Sequence, residues 1–323
     1  MRFAIDWQDA RLRATRDLAA DIRLFEIEPA KPAKPPAPGS HISVTVTIDG
    51  QTDARCYSLI AAAEDGAYRI AVKRLKESRG GSAYMWSLAP GARLRISEPQ
   101  NLFELTLGRP DYLLIAGGIG VTPIHGMAMT LAARGAKLRM FYACRQRAEL
   151  VFAEELRERL GDRLETFVDE EGQRMDLATA IDGLDTDGEL YLCGPIGLME
   201  AARRQWRQSG RPMERLRFES FGNSGRFAPE PFTVHIPRLG KTITVPDNRS
   251  MLDALEAAGV ELLSDCRRGE CGLCAVDILA VEGEVDHRDV FFSDGQKAEN
   301  HRLCACVSRV AGGGVTIDTA RRD

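Results

Sequence analysis

Nine residues near the end of the chain carry its most specific chemistry: Cys266-Arg267-Arg268-Gly269-Glu270-Cys271-Gly272-Leu273-Cys274, with Cys304 after a further twenty-nine residues. C-x4-C-x2-C followed by a distant cysteine is the spacing of a plant-type [2Fe–2S] site. Three thiolates from one tight loop hold the edge of such a cluster and a fourth closes it, because each iron takes two sulfur ligands in tetrahedral geometry. Gly269 and Gly272 let the backbone crowd the inorganic sulfides. Zinc is the competing reading, since it also uses four cysteines, but structural zinc loops come as two matched C-x2-C pairs and only one is present. Cys306 lies two residues beyond Cys304, so on an extended strand it reads as a decoy that spoils the spacing. The expected ligands are Cys266, Cys271, Cys274 and Cys304.

A second group of residues suits a flat, anionic ligand. Arg55-Cys56-Tyr57-Ser58 supplies a cation, an aromatic plane and a hydroxyl, and the loop Ser78-Arg79-Gly80-Gly81-Ser82 supplies backbone N–H groups for a phosphate. Flavin mononucleotide fits that description. A third group lies at two glycine turns. Gly117-Gly118-Ile119-Gly120-Val121-Thr122-Pro123 stands between a strand and a helix, where N–H groups receive a pyrophosphate. Cys193-Gly194-Pro195 keeps backbone close to a nicotinamide, with a small polarizable side chain at a strand tip.

The elements that must position these groups follow from periodicity and turn residues. Up to residue 107 the chain reads as short strands, an antiparallel barrel: His41 to Ile48 alternates and ends at Asp49-Gly50, a hairpin signal, and Pro29 to Gly39 is a surface connector. From 108 to 224 strands at Tyr112–Ala116, Leu138–Cys144, Leu164–Val168 and Glu189–Cys193 alternate with helices, one of them spanning 148–160 with Phe152, Leu156 and Leu160 on its inner stripe. That is a doubly wound α/β domain, whose ligands bind at the carboxyl ends of the strands. Residues 225–231 read as a linker. From 232 to 323 a hairpin turning at Leu239-Gly240 precedes a helix capped by Ser250 and ended by Gly259, and then the cysteine loop, which is a β-grasp order.

Length and charge bound the remaining possibilities. At about 150 residues per domain, 323 residues suggest two or three domains. No apolar run is long enough to span a membrane and the first residues lack a signal-peptide core, so a cytoplasmic, membrane-free protein is expected. Cys56 and Cys144 read as reduced, packed thiols. A net charge of −4 argues against nucleic acid, and from 232 to 323 there are 11 Lys and Arg against 15 Asp and Glu, so the deficit lies at the cysteine-bearing end. Such a module suits a short-lived electrostatic encounter with another protein.

With these motifs in hand, the chain resembles the phthalate dioxygenase reductase family over nearly its whole length, on the flavin, nicotinamide and cysteine motifs together with Phe218-Glu219-Ser220-Phe221-Gly222 and Cys304-Ala305-Cys306-Val307-Ser308-Arg309. The resemblance implies that Arg55, Tyr57 and Ser58 hold the flavin ring, with Ser58 near its reactive nitrogen and the backbone of Val72-Lys73 at its pyrimidine edge. It implies that Gly80, Gly81 and Ser82 hold the FMN phosphate, and that Phe221 covers the flavin face when nicotinamide is absent. It further implies that Gly118, Gly120, Thr122, Pro123, Cys193, Gly194 and Pro195 hold NAD(P)H, with Ser58, Cys193 and Phe221 closest to hydride transfer. The expected protein is an NADH-dependent iron–sulfur flavoprotein reductase, a monomer whose cluster reduces a Rieske-type oxygenase. NADPH stays open because Arg145 and Arg147 follow the second strand. A cytochrome P450 or a quinone is the alternative acceptor, and a non-catalytic iron–sulfur sensor is the alternative of another class.

Overall fold

The computed structural model describes residues 6–60, 65–75, 80–221 and 225–319. Ser78 and Arg79 of the expected phosphate loop, with Gly222 and residues 223–224, lie outside them. The chain forms two compact units, one reaching Glu219 and the other running from Ser220.

The first unit holds two sheets. Strands β1 (Trp7–Ala19), β2 (Ile22–Pro29), β3 (Ser40–Ile48), β4 (Gln51–Ser58), β5 (Tyr68–Lys73), β6 (Arg93–Ser97) and β7 (Gln100–Asn101) form one antiparallel sheet in the order β4-β3-β6-β1-β2-β5, with β7 on β3. Its edge strands β4 and β5 approach without a ladder between them, so the expected barrel is a curled, half-closed one. Apolar residues fill the inside of the curl, including Leu12, Phe25, Ile42, Val44, Ile70 and Ile96. Asp49 and Gly50 take φ of 51° and 74°, and this pair of positive values is the turn that matches the twist of the β3–β4 hairpin. Helix α1 (Gly81–Ser87) follows β5.

The second sheet is parallel throughout: β8 (Tyr112–Gly117), β9 (Leu138–Cys144), β10 (Leu164–Val168), β11 (Glu189–Cys193) and β12 (Leu216–Glu219), ordered β10-β9-β8-β11-β12. Helices α2 (Val121–Ala133), α3 (Ala153–Leu160), α4 (Leu177–Asp182) and α5 (Ile196–Gln208) connect the strands. Two differences from expectation stand out. Helix α3 begins at Ala153 rather than 148, because Phe152 sits in the left-handed region at φ 64° and a short 3-10 turn occupies 147–149. The fifth strand, β12, has only four residues, too few for its alternation to register.

In the second unit β13 (Phe232–Ile236), β14 (Lys241–Val245), β15 (Ala275–Asp286), β16 (Arg302–Cys304) and β17 (Arg309–Asp318) form a mixed sheet in the order β14-β13-β17-β15-β16. Only β13 and β17 run parallel. Helix α6 (Met251–Ala257) starts in a capping box between Ser250 and Asp253, and Gly259 follows its end at φ 72°. Met251, Leu252 and Leu255 bury its inner face in the core of this β-grasp unit. Helix α7 (Asp294–Glu299) has its own capping box, Ser293 with Gln296. The stretch expected to be a linker is partly fastened to this unit: Asp286 accepts the Arg226 N–H at 3.0 Å and Arg288 donates to the Phe227 carbonyl at 2.8 Å.

Candidate functional site

At the carboxyl ends of the parallel strands, Cys193 and Glu219 are register partners on β11 and β12, which sets them about 4.8 Å apart across neighbouring strands. Both are buried, and Ser58 at the end of β4 donates its hydroxyl to Glu219 Oε2 at 3.1 Å. The curled sheet and the parallel sheet thus bring Ser58, Cys193 and Glu219 to one place. Glu219 was not singled out by sequence reasoning, which named no acid or base; its motif gave a carboxylate at a strand end, and only the β11–β12 pairing shows that it faces the site.

The glycines at the two turns have different work. A Cβ on Gly120 would stand 2.2 Å from the Cys193 carbonyl oxygen, and one on Gly117 would stand 2.6 Å from Pro195 Cδ. These residues are small because the two turns abut. Gly118 alone is left-handed, at φ 52°, with nothing within 4 Å of where a Cβ would lie, so it is the position that leaves room for a ligand. Thr122 returns its hydroxyl to the Ile119 carbonyl at 3.0 Å, fastening the turn, and Pro123 takes one N–H away from the start of α2. Of the two arginines that left NADPH open, Arg147 forms a two-pronged pair with Glu171 at 2.6 and 2.5 Å.

Gly80 is left-handed at φ 84° and precedes α1, so Gly81 and Ser82 open a helix rather than continuing a loop. A Cβ on Gly81 would stand 2.7 Å from Arg55 Cγ, which places the arginine stem across the first turn of α1. Arg55 also pairs with Asp53. Ser82 Oγ accepts the Leu75 N–H at 3.3 Å. The Val72 carbonyl accepts the Trp86 indole N–H at 3.1 Å, and Lys73 bridges Asp21 and Glu149 at 3.3 and 2.8 Å. Tyr57 is half-buried, and burial pushes its hydroxyl well above the ordinary tyrosine range. Phe221 is half-buried in the second unit.

In the second unit the N–H groups of Arg268, Glu270 and Cys271 all point to Cys266 Sγ, at 3.5, 3.4 and 3.4 Å. Gly269 and Gly272 take φ of 76° and 71°, and Arg267 at φ 50° ties the loop to α6 through Asp253 and Glu256, at 3.0 and 2.6 Å. N–H donors aimed at a thiolate sulfur are what an iron–sulfur cluster needs from backbone, so the loop fits the group. Among the described residues no three metal-binding side chains surround one point. A two-iron cluster asks for only two thiolates per iron.

The fourth ligand is where strand alternation fails as an argument. Cys304 ends β16 and residues 305–307 form a turn, so Cys306 is not carried to the opposite face. Both thiols lie within hydrogen-bonding reach of Cys274 and hold its thiol below the ordinary cysteine range, against the opposing effect of burial. Cys306 also neighbours Cys266 and the Gly269 N–H, whereas Cys304 neighbours the Asp289 carboxylate.

Residues 9–105 match the oxidoreductase FAD-binding domain family, 114–204 the oxidoreductase NAD-binding domain family and 234–311 the 2Fe–2S iron–sulfur cluster binding domain family. Flavin, nicotinamide and cluster domains in one chain define an iron–sulfur flavoprotein oxidoreductase that uses NAD(P)H. The heme-dependent oxidative N-demethylase beta subunit of Ectopseudomonas mendocina (strain ymp) is 36% identical over 313 residues, 96% of this chain and 98% of that protein. The solved structure of phthalate dioxygenase reductase, described as modular for electron transfer from pyridine nucleotides to [2Fe–2S], is 31% identical over 97% of this chain and 98% of its own, with a TM-score of 0.74. Full-length CYP116B46 from Tepidiphilus thermophilus is 34% identical over 96% of this chain but only 42% of that one, with a TM-score of 0.66. The chain belongs to the phthalate dioxygenase reductase family of oxygenase reductases. Among the described residues no helix is long and apolar enough to cross a membrane.

Proposed function

We propose that the chain takes a hydride from NADH onto FMN and passes electrons singly through its [2Fe–2S] cluster to a separate terminal oxygenase of the Rieske type. Bound flavin supplies the conversion from two-electron to one-electron chemistry and the cluster supplies the one-electron outlet. The observation that carries this reading is the buried Ser58–Glu219 hydrogen bond beside Cys193, a polar station shielded from water at the strand ends. Ser58 holds a proton that it shares with Glu219, Cys193 packs against the nicotinamide, and Gly118 admits it. Phe221 is assigned to the flavin face by family likeness alone. In anaerobic stopped-flow, Cys193→Ala slows flavin reduction by NADH and leaves reduction by dithionite unchanged; equal slowing by both would remove that role.

FMN is favoured over FAD by Arg55 lying across the first turn of α1, a compact cradle for one phosphate. Chromatography of the flavin released by acid reads it directly. NADH is favoured by the Arg147–Glu171 pair and by the acidic run Asp169-Glu170-Glu171, which repels a 2′-phosphate. The ratio of kcat/KM for the two nucleotides decides it. For the cluster, Cys266, Cys271 and Cys274 are proposed with Cys306 in place of Cys304, because β16 ends at Cys304, the following turn removes the alternation that set Cys306 aside, and Cys306 meets the Gly269 N–H of the cysteine loop. Cys306→Ser then loses the visible cluster absorbance and Cys304→Ser keeps it; the opposite pattern restores Cys304.

A second acceptor reading has its own support. The Ectopseudomonas relative is named for a heme-dependent demethylase, so a haem oxygenase is the alternative to a Rieske protein. Reconstitution of NADH-driven turnover with each type of oxygenase separates the two.

A further inference from the structure

Residues 286–292 run between the two cysteine-bearing segments, and their central side chain is fully buried. Asp289 Oδ2 accepts the Phe292 N–H at 2.9 Å and Oδ1 accepts the Ser308 hydroxyl at 3.4 Å, with His287 Nδ1 3.6 Å away. The other nitrogen of that ring lies 2.9 Å from Asn300 Oδ1. Lys297 Nζ donates to the Asp289 carbonyl at 2.6 Å. On the side of the cysteine loop, Val290 N donates to the Gly269 carbonyl at 3.0 Å, and a Cβ on Gly269 would stand 2.9 Å from Asp289 Cα. On the side of the fourth ligand, Arg288 N donates to Ser308 Oγ at 3.4 Å and Ser308 N donates to the Cys304 carbonyl at 3.0 Å.

We propose that Asp289 is a positioning residue for the cluster: it holds loop 266–274 and turn 304–308 at a fixed separation, and its buried carboxylate lowers the cluster's reduction potential. The inference rests on the reading that these two segments hold a [2Fe–2S] cluster. Reduction adds an electron, and a fixed anion in a poorly screened interior disfavours it. The carboxylate accepts the Phe292 N–H and the Ser308 hydroxyl, with the His287 ring beside it, which is the donor set that suits an ionised carboxylate. Lys297 acts with the opposite sign, as a cation bonded to the same residue.

The test uses the full-length holoprotein and reads the cluster potential by redox titration followed by electron paramagnetic resonance, with flavin occupancy as the control for folding. Asp289→Asn keeps the size and the acceptor oxygen, so its cluster assembles with a more positive potential; Lys297→Gln shifts it the other way. An unchanged potential in Asp289→Asn, or shifts of one sign in both variants, overturns the electrostatic role. Asp289→Ala loses iron to a chelator several-fold faster than the parent; loss at the parental rate overturns the clamp. If Asp289→Asn fails to hold the cluster, rescue by Asp289→Glu supports the clamp and failure to rescue overturns it. A parent chain with no iron and no cluster absorbance would instead refute the cluster reading itself.

Discussion

The cysteine loop and the proposed hydride station answer the same need, holding a redox group, by opposite means. In the loop nine consecutive residues supply three thiols and the N–H groups that point to one of them. The hydride station draws Ser58 from β4, Cys193 from β11 and Glu219 from β12, with Gly118 at a turn after β8, so tertiary pairing creates it. The loop depends first on its own residues and on the one distant thiol that completes it. The assembled site depends on every contributor and also on the packing that aligns the strands.

The largest effect tests the local site. Cys271→Ser removes the cluster absorbance completely and stops electron delivery to an oxygenase, while NADH still reduces ferricyanide through the flavin. Next comes the assembled site: Glu219→Gln slows flavin reduction by roughly 100-fold in stopped-flow, in the range for losing a positioned proton partner, with NADH affinity little changed. Should affinity fall and the rate hold, Glu219 would be a binding residue only. Packing between the turns is probed by Gly120→Ala, whose methyl would meet the Cys193 carbonyl; urea unfolding should show a loss of about 1–3 kcal/mol. At the other end of β4 from Ser58, Gly50→Ala strains a turn at φ 74° and costs ~1 kcal/mol with hydride transfer unaffected.

The smallest effect is one of pH. The hydrogen bond from Arg13, against the opposing effect of partial burial and with help from Arg69, holds the Glu26 carboxyl below the usual range. A depressed folded pKa means that the stability it contributes is present above the unfolded value of about 4.3 and is lost as pH falls through the folded one. Glu26→Gln therefore lowers stability by only ~0.2–1 kcal/mol at pH 7 and by less in acid, checked by thermal melts across pH.

Legibility in the sequence followed the same division. Cysteine spacing, the Asp49-Gly50 hairpin, four of the parallel strands and the Ser250–Asp253 cap are all written in residues a few positions apart. What escaped depends on tertiary context. Phe152 begins α3 in a left-handed conformation that no propensity suggests, and Gly80 to Ser82 reads as a turn until α1 is seen to start there. Glu219 matters only because a four-residue strand pairs with β11. The alternation that set Cys306 aside assumed a strand that ends two residues too early.

Anaerobic titration with NADH tests the central claim, a hydride station in one unit and a one-electron outlet in the other. Measured by flavin and cluster absorbance together, the parent chain should take up one electron per chain more than Cys271→Ser, with full flavin bleaching in both. Equal uptake by the two proteins, or a cluster that NADH reduces after the flavin has been removed, would contradict it.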